Sequence, residues 1–185
     1  MSTGTLSAPP AGHSHSGKTD AIPASAQPCR RLAAEELREL EELVGKGNVL
    51  HRPAHLLSYE CDATTIEKMP PAAVVFVHDS AQVQAVVRWC QHRRIPFLPR
   101  GAGTGLSGGA LASQGGLIIE MARLKRLIEV DENSGMAILE PGVVNLQITK
   151  AVTHQHLYFA PDPSSQAACT VGGNLAENSG GPHTL

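Results

Sequence analysis

The sequence predicts a domain that mixes helices and strands, and three observations carry that expectation. A strand–helix–strand pattern fits residues 73–98. A second group of strands, two of them joined by a turn-rich "DENSG", fits residues 117–140. Amphipathic helical patterns stand before the first group and after the second.

Residues 1–28 are rich in Ser, Ala, Gly and Pro, with Lys18 and Asp20 as their only charges, and are expected to form a disordered tail. They lack the basic start and continuous apolar stretch of a secretory signal, so a cytoplasmic location is expected. Residues 29–69 read as a helical lead-in. From Arg30 to Val44, Leu32, Leu37, Leu40, Leu43 and Val44 fall on one stripe, and Gly45 and Gly47 end the helix. The stretch Leu56–Thr64, "LLSYECDAT", reads as irregular, and Pro70-Pro71 closes the lead-in.

Ala73–His78 reads as a strand. Asp79 or Ser80 can cap a helix through Arg93, with Val83, Val86, Val87 and Cys90 facing inward, and Ile95–Leu98 reads as a strand parallel to the first. Further strands are expected near Leu117–Met121, Leu127–Val130 and Met136–Glu140. Asp131–Gly135 is the hairpin turn between the last two. Pro141-Gly142 leads into a helix from about Asn145 to His156, and the remainder reads as loop. The chain stops inside a glycine cluster, and a fragment of something longer is expected.

Composition excludes several classes. The chain has 185 residues, a net charge of −2 and 3% aromatics, which argues against general nucleic-acid binding. Apolar content of 42% suffices for a core, and no apolar run reaches the length of a membrane span. Cys29, Cys61, Cys90 and Cys169 are far apart, which suggests neither a disulfide framework nor a zinc finger. The pairs His51/His55 and His154/His156 have no matching carboxylate cluster, so no metal site is expected.

The chemistry-bearing stretch is "PRGAGTGLSGG", Pro99–Gly109, in which five of eleven residues are glycine. It is neither repetitive nor polar-flanked, so it does not read as a linker. Gly103-Thr104-Gly105-Leu106-Ser107-Gly108 matches GxGxxG by letter, but the residues up to Gly116 are too few for the helix that this fingerprint opens. Gly105-Leu106-Ser107-Gly108-Gly109 matches the GxSxG of a nucleophile elbow and lacks the same helix. No Lys-Ser/Thr follows, which rules out a P-loop. A backbone anion site that needs no helix remains, since successive N–H groups can form a concavity for phosphate. No carboxylate lies between Asp79 and Glu120, whereas Arg88, Arg93, Arg94 and Arg100 do. A second cluster, "PDPSSQAACTVGGNLAENSGG" (Pro161–Gly181), again combines small residues, hydroxyls and amides. Two such loops in one short domain suggest one long ligand gripped at two places, such as a dinucleotide.

"PFLPRGAGTGLSGGA", "EPGV", "APDPSSQAACTVGGNLAENSGGPH" and "SYECDAT" together resemble the FAD-linked 2-hydroxy-acid dehydrogenases of the vanillyl-alcohol-oxidase type, among them the FAD-binding subunit of bacterial glycolate oxidase. The resemblance covers roughly Val49–Leu185. It implies an α+β fold, a PCMH-type FAD-binding domain of two α/β subdomains, over residues 70–185 and incomplete at its C-terminal end.

It implies that FAD lies along Arg100, Gly101, Ala102, Gly103, Thr104, Gly105, Leu106, Ser107, Gly108 and Gly109. From the second cluster it implies Asp162, Pro163, Ser164, Ser165, Gly172, Gly173, Asn174, Asn178, Ser179 and Gly180. Some members attach FAD through a histidine in the first loop. No His or Cys occurs between Pro99 and Gly109, so noncovalent FAD is expected.

The implied reaction is oxidation of a small 2-hydroxy acid, glycolate first and D-lactate second, by hydride transfer to flavin N5. The catalytic residues are expected beyond Leu185. Iron–sulfur and second flavoprotein-like subunits are the implied partners, and they could hold the protein peripherally at the inner membrane. A catalytically silent FAD-binding or subunit-interaction fragment is the alternative, and a serine hydrolase acting through Ser107 the remote one.

Overall fold

The computed structural model describes residues 31–184. The expected tail, residues 1–28, lies outside them, as does Cys29. Helix α1 (Ala34–Val44) opens the described chain, with Glu36 accepting from the N–H of Ala33. After strand β1 (Val49–Leu50) come a short helix α2 (Pro53–Leu56) and a single 3₁₀ turn, Leu57–Tyr59. The lead-in, expected to be helical, therefore also carries a strand.

Strand β2 (Ala73–Phe76) leads into α3 (Ser80–Arg93), capped by Asp79, whose carboxylate accepts from the N–H of Gln82 at 2.8 Å. Arg94 in the left-handed region ends α3, and β3 (Phe97–Arg100) follows. The strands β2 and β3 are parallel, as the sequence predicts, but they are not neighbours. Strand β4 (Leu117–Glu120) lies between them and pairs in parallel with both, giving the order β1-β2-β4-β3. The hairpin joins β5 (Leu127–Asp131) to β6 (Met136–Leu139) as a separate two-stranded sheet.

Side chains alternate across the four-stranded sheet. Ala73, Val75, Leu117 and Ile119 face α1 and α3, packing with Leu40, Val44, Val86 and Cys90. Val74 and Ile118 face the other way, onto Leu56 and Ala112. Both faces are covered, as parallel strands require. Glu39 on α1 accepts from the Trp89 indole at 2.7 Å and pairs with Arg93, which ties the two helices together.

Helix α4 (Asn145–Val152) ends in a 3₁₀ turn, Thr153–Gln155, within the expected span. The residues after His156 are not all loop: Val171–Glu177 forms helix α5. Two glycines in "VGGNLAE" cost helix propensity. Tertiary contacts outweigh that cost, because Val171 packs on Val143 and Ile148, its N–H donates to Val143, and the Gly172 N–H donates to Pro141.

Candidate functional site

The first glycine cluster leaves the carboxyl end of β3, the place where open α/β sheets bind ligands. Its shape is set by Arg100, the last residue of β3, which is buried. The Arg100 guanidinium donates to the carbonyls of Ala110 (2.9 Å), Cys61 (3.0 Å) and Tyr59 (3.4 Å), and lies 5.5 Å from the centre of the Tyr59 ring. A side chain that the sequence offers as an attractor for anions is thus committed to the backbone of its own loop.

The lead-in finishes the job. Asp62 accepts from the Gly108 N–H at 3.0 Å and from Thr64 through both N–H and hydroxyl, and the Ala63 N–H donates to Gly105. The hydrogen bonds from Thr64, with that of Gly108 behind them, hold the Asp62 carboxyl below the usual carboxylate range. Tyr59, Cys61, Asp62 and Ala63 lie in the "SYECDAT" that carries part of the resemblance, but none of them is among the expected site residues. Asp62 in "CDAT" carries the one readable signal, an acid two residues before a threonine that it can bind.

The second cluster is fastened to α4. The N–H groups of Asn145 and Leu146 donate to Cys169 and Gln166, and the Asn145 side chain donates to the Pro161 carbonyl at 2.9 Å. Its far end folds back on its beginning. The Asp162 N–H donates to Gly180, while the Asp162 carboxylate accepts from the His183 N–H (3.0 Å) and meets Nδ1 of the same residue (2.5 Å). Those contacts lower the pKa of Asp162, the backbone hydrogen bond first.

The two clusters close on one groove of about 110 Å³. Of the expected residues, Arg100, Gly101, Ala102, Gly103, Thr104, Gly105 and Gly109 line it from one side, and Ser165, Gly173, Asn174 and Ser179 from the other. Leu106, Ser107, Gly108, Asp162, Pro163, Ser164, Gly172, Asn178 and Gly180 lie outside its lining. Gly108 and Asp162 serve the loops' own hydrogen bonds, and Asn178 ends α5 in the left-handed region. Ser107 is exposed, and a single 3₁₀ turn (Ser113–Gly115) and then β4 follow its loop. The strand–Ser–helix arrangement of a nucleophile elbow is absent.

Thr170 and Glu177 line the groove without having been expected there, and they explain several of the glycines. A Cβ on Gly101 would fall on the Thr170 hydroxyl, and one on Gly109 would fall on a Glu177 carboxylate oxygen. Gly103 has φ +67°, and a Cβ there would meet the Arg100 guanidinium. The backbone is bare at these three places because the protein's own side chains occupy the space, and the two clusters interlock.

One group in the groove has no partner. Asn174 is 7% exposed, and its Nδ2 is a buried donor with no hydrogen bond. Buried amide donors are nearly always paired, and this one stands out among the residues that line the groove. A larger cavity, about 560 Å³, lies behind β5–β6 against α4 and α5. Apolar residues such as Met136, Ile138, Ile148, Val152 and Leu175 dominate its walls.

A family model described as an FAD binding domain matches residues 71–185. The chain is 44% identical over 149 residues to glycolate oxidase subunit GlcD of Escherichia coli (strain K12), spanning 80% of this chain and 30% of that protein. It is 34% identical over 143 residues to a D-2-hydroxyglutarate dehydrogenase of Stutzerimonas stutzeri (strain A1501), spanning 77% and 31%. The chain thus spans about a third of the length of the curated relatives it matches. A solved alkyldihydroxyacetonephosphate synthase shares the fold, with a TM-score of 0.70 at 19% identity over 81% of this chain and 30% of that one. The two interlocked glycine clusters, the sheet that presents the first of them and the family match over residues 71–185 place this chain in the FAD binding domain family, in its PCMH-type branch.

Proposed function

We propose that this chain is the FAD-binding portion of a flavin-dependent oxidoreductase that oxidises a small 2-hydroxy acid, glycolate first and D-lactate second. The observation that carries the reading is the unpaired, buried Nδ2 of Asn174 in a groove walled by two glycine clusters. A donor without a partner, between two clusters of small residues, suits an oxygen of a pyrophosphate.

Bound FAD would supply the hydride acceptor at N5. The chain's own part is to bind and orient. The stretch Gly101–Gly105 and Gly109 line one side, and Ser165, Gly173, Asn174 and Ser179 face them. Arg100 and Asp62 keep the first loop in shape from behind. With no His or Cys between Pro99 and Gly109, attachment is noncovalent. In this reading the electrons leave through an iron–sulfur subunit beside a second flavoprotein-like subunit, in an assembly that is cytoplasmic or peripheral at the inner membrane. The word "subunit" in the name of the Escherichia coli relative supports the assembly. Among the described residues no helix is long and apolar enough to cross a membrane.

The test is the visible spectrum of the purified protein, recorded before and after anaerobic addition of glycolate or D-lactate. A yellow protein that bleaches supports the reading. A yellow protein that does not bleach favours the catalytically silent fragment, and a colourless one that takes up no added FAD overturns both. Acid precipitation should leave the yellow colour in the supernatant.

A further inference from the structure

The lining of the groove holds one carboxylate. Glu177 is the last residue of α5, exposed, and pressed against the bare Cα of Gly109 and near Gly105. It makes no hydrogen bond or ion pair among the described residues. Arg100, the only other charged residue of the lining, is turned onto three carbonyls and makes no ion pair with it. Three residues earlier on the same helix stands Asn174, with its unpaired donor. Residues three apart on a helix are neighbours, about 5–6 Å between Cβ atoms. The groove therefore offers a donor and, one step along, an anionic acceptor.

We propose that Glu177 is a specificity residue of the groove, accepting a sugar hydroxyl of the dinucleotide next to the pyrophosphate that Asn174 receives. The proposal rests on the FAD reading above. Phosphate oxygens are acceptors only and are repelled by a carboxylate, while a hydroxyl is a donor that a carboxylate binds well. FAD carries both groups, with hydroxyls on each side of its pyrophosphate, so phosphate at Asn174 leaves a hydroxyl for Glu177. That hydroxyl belongs either to the ribose or to the ribityl chain.

The test is equilibrium binding of FAD, ADP, FMN and inorganic pyrophosphate to the wild-type chain, Glu177→Gln and Glu177→Ala. FAD affinity should fall about tenfold in Glu177→Ala and less in Glu177→Gln, which keeps one acceptor oxygen. Pyrophosphate has no sugar, and its binding should hold or tighten in both variants. A loss shared with ADP assigns the ribose, and a loss shared with FMN assigns the ribityl chain.

FAD affinity unchanged or improved in Glu177→Ala overturns the proposal, since the carboxylate is then an obstacle or a bystander. If circular dichroism shows that Glu177→Ala is unfolded, Glu177→Gln decides. A wild-type chain that binds none of the four probes overturns the FAD reading itself.

Discussion

Strands β4 and β6 are both four residues long and mostly apolar, Leu117–Glu120 and Met136–Leu139, yet they sit in opposite surroundings. Every residue of β4 is buried, whereas Met136 and Ile138 of β6 are 64% and 55% exposed. Composition does not make the difference. Strand β4 has a neighbour on each side, with helices on one face and the lead-in and Ala112 on the other. Strand β6 has one neighbour, and an open apolar cavity lies behind it. A two-stranded ribbon is marginal on its own, and the small cluster of Val143, Ile148 and Val171 has little to add. Burial follows from the number of layers that reach a strand, and the half of the chain before residue 125 has more of them.

The largest expected effect sharpens that contrast. Truncating Ile118, which is fully buried, to Ala should cost about 3–4 kcal/mol in urea denaturation, through lost transfer energy and a cavity between covered faces. The same truncation at Ile138 should stay within about 0.5 kcal/mol. Equal costs at the two positions would break the comparison, because β6 would then be covered in solution.

A smaller effect concerns the join between the glycine clusters. Gly109→Ala should cost up to about 1 kcal/mol, because the added methyl must turn the exposed Glu177 carboxylate aside. Pairing it with Glu177→Ala should recover most of the loss in thermal melts. Gly103→Ala should not be rescued in that way, since its φ of +67° is strained for any side chain.

The smallest effect is in the pH dependence. The pKa of Asp62 is lowered on folding, by Thr64 first. Its contribution is therefore complete above the unfolded value, about 3.9, and fades as pH falls through the lower folded value. Asp162 follows the same course through His183. Acid unfolding of Asp62→Asn should be less steep below pH 4 than that of wild type. A profile of unchanged steepness would mean that the first loop is not held by this carboxylate.

Sequence periodicity was enough for β2 and α3, because Val75, Val86 and Cys90 repeat at the spacing that burial demands and Asp79 is a cap. The position of β4 between β2 and β3 was not legible, since strand order depends on how a crossover packs and not on any local pattern. Helix α5 was hidden by Gly172 and Gly173, whose cost is met by contacts with residues near Pro141. At the site, the glycines announced a close approach, and the resemblance placed them beside a cofactor. What approaches Gly101 and Gly109 is Thr170 and Glu177, and these partners sit too far along the chain for local reading to join them. Arg100 shows a related limit: charge can be read from a sequence, but the direction in which a guanidinium points cannot.

The interlock at Gly101 and Gly109 has an evolutionary consequence. Neither glycine has φ in the left-handed region, and at each a side chain would be crowded by a partner from the second cluster. The pairs 101/170 and 109/177 should therefore covary. Among diverged members of the family, a side chain at 109 is expected where 177 has become shorter, and one at 101 where 170 has lost its hydroxyl. Such paired changes would mark the groove as a unit of inheritance, altered on both walls together or on neither.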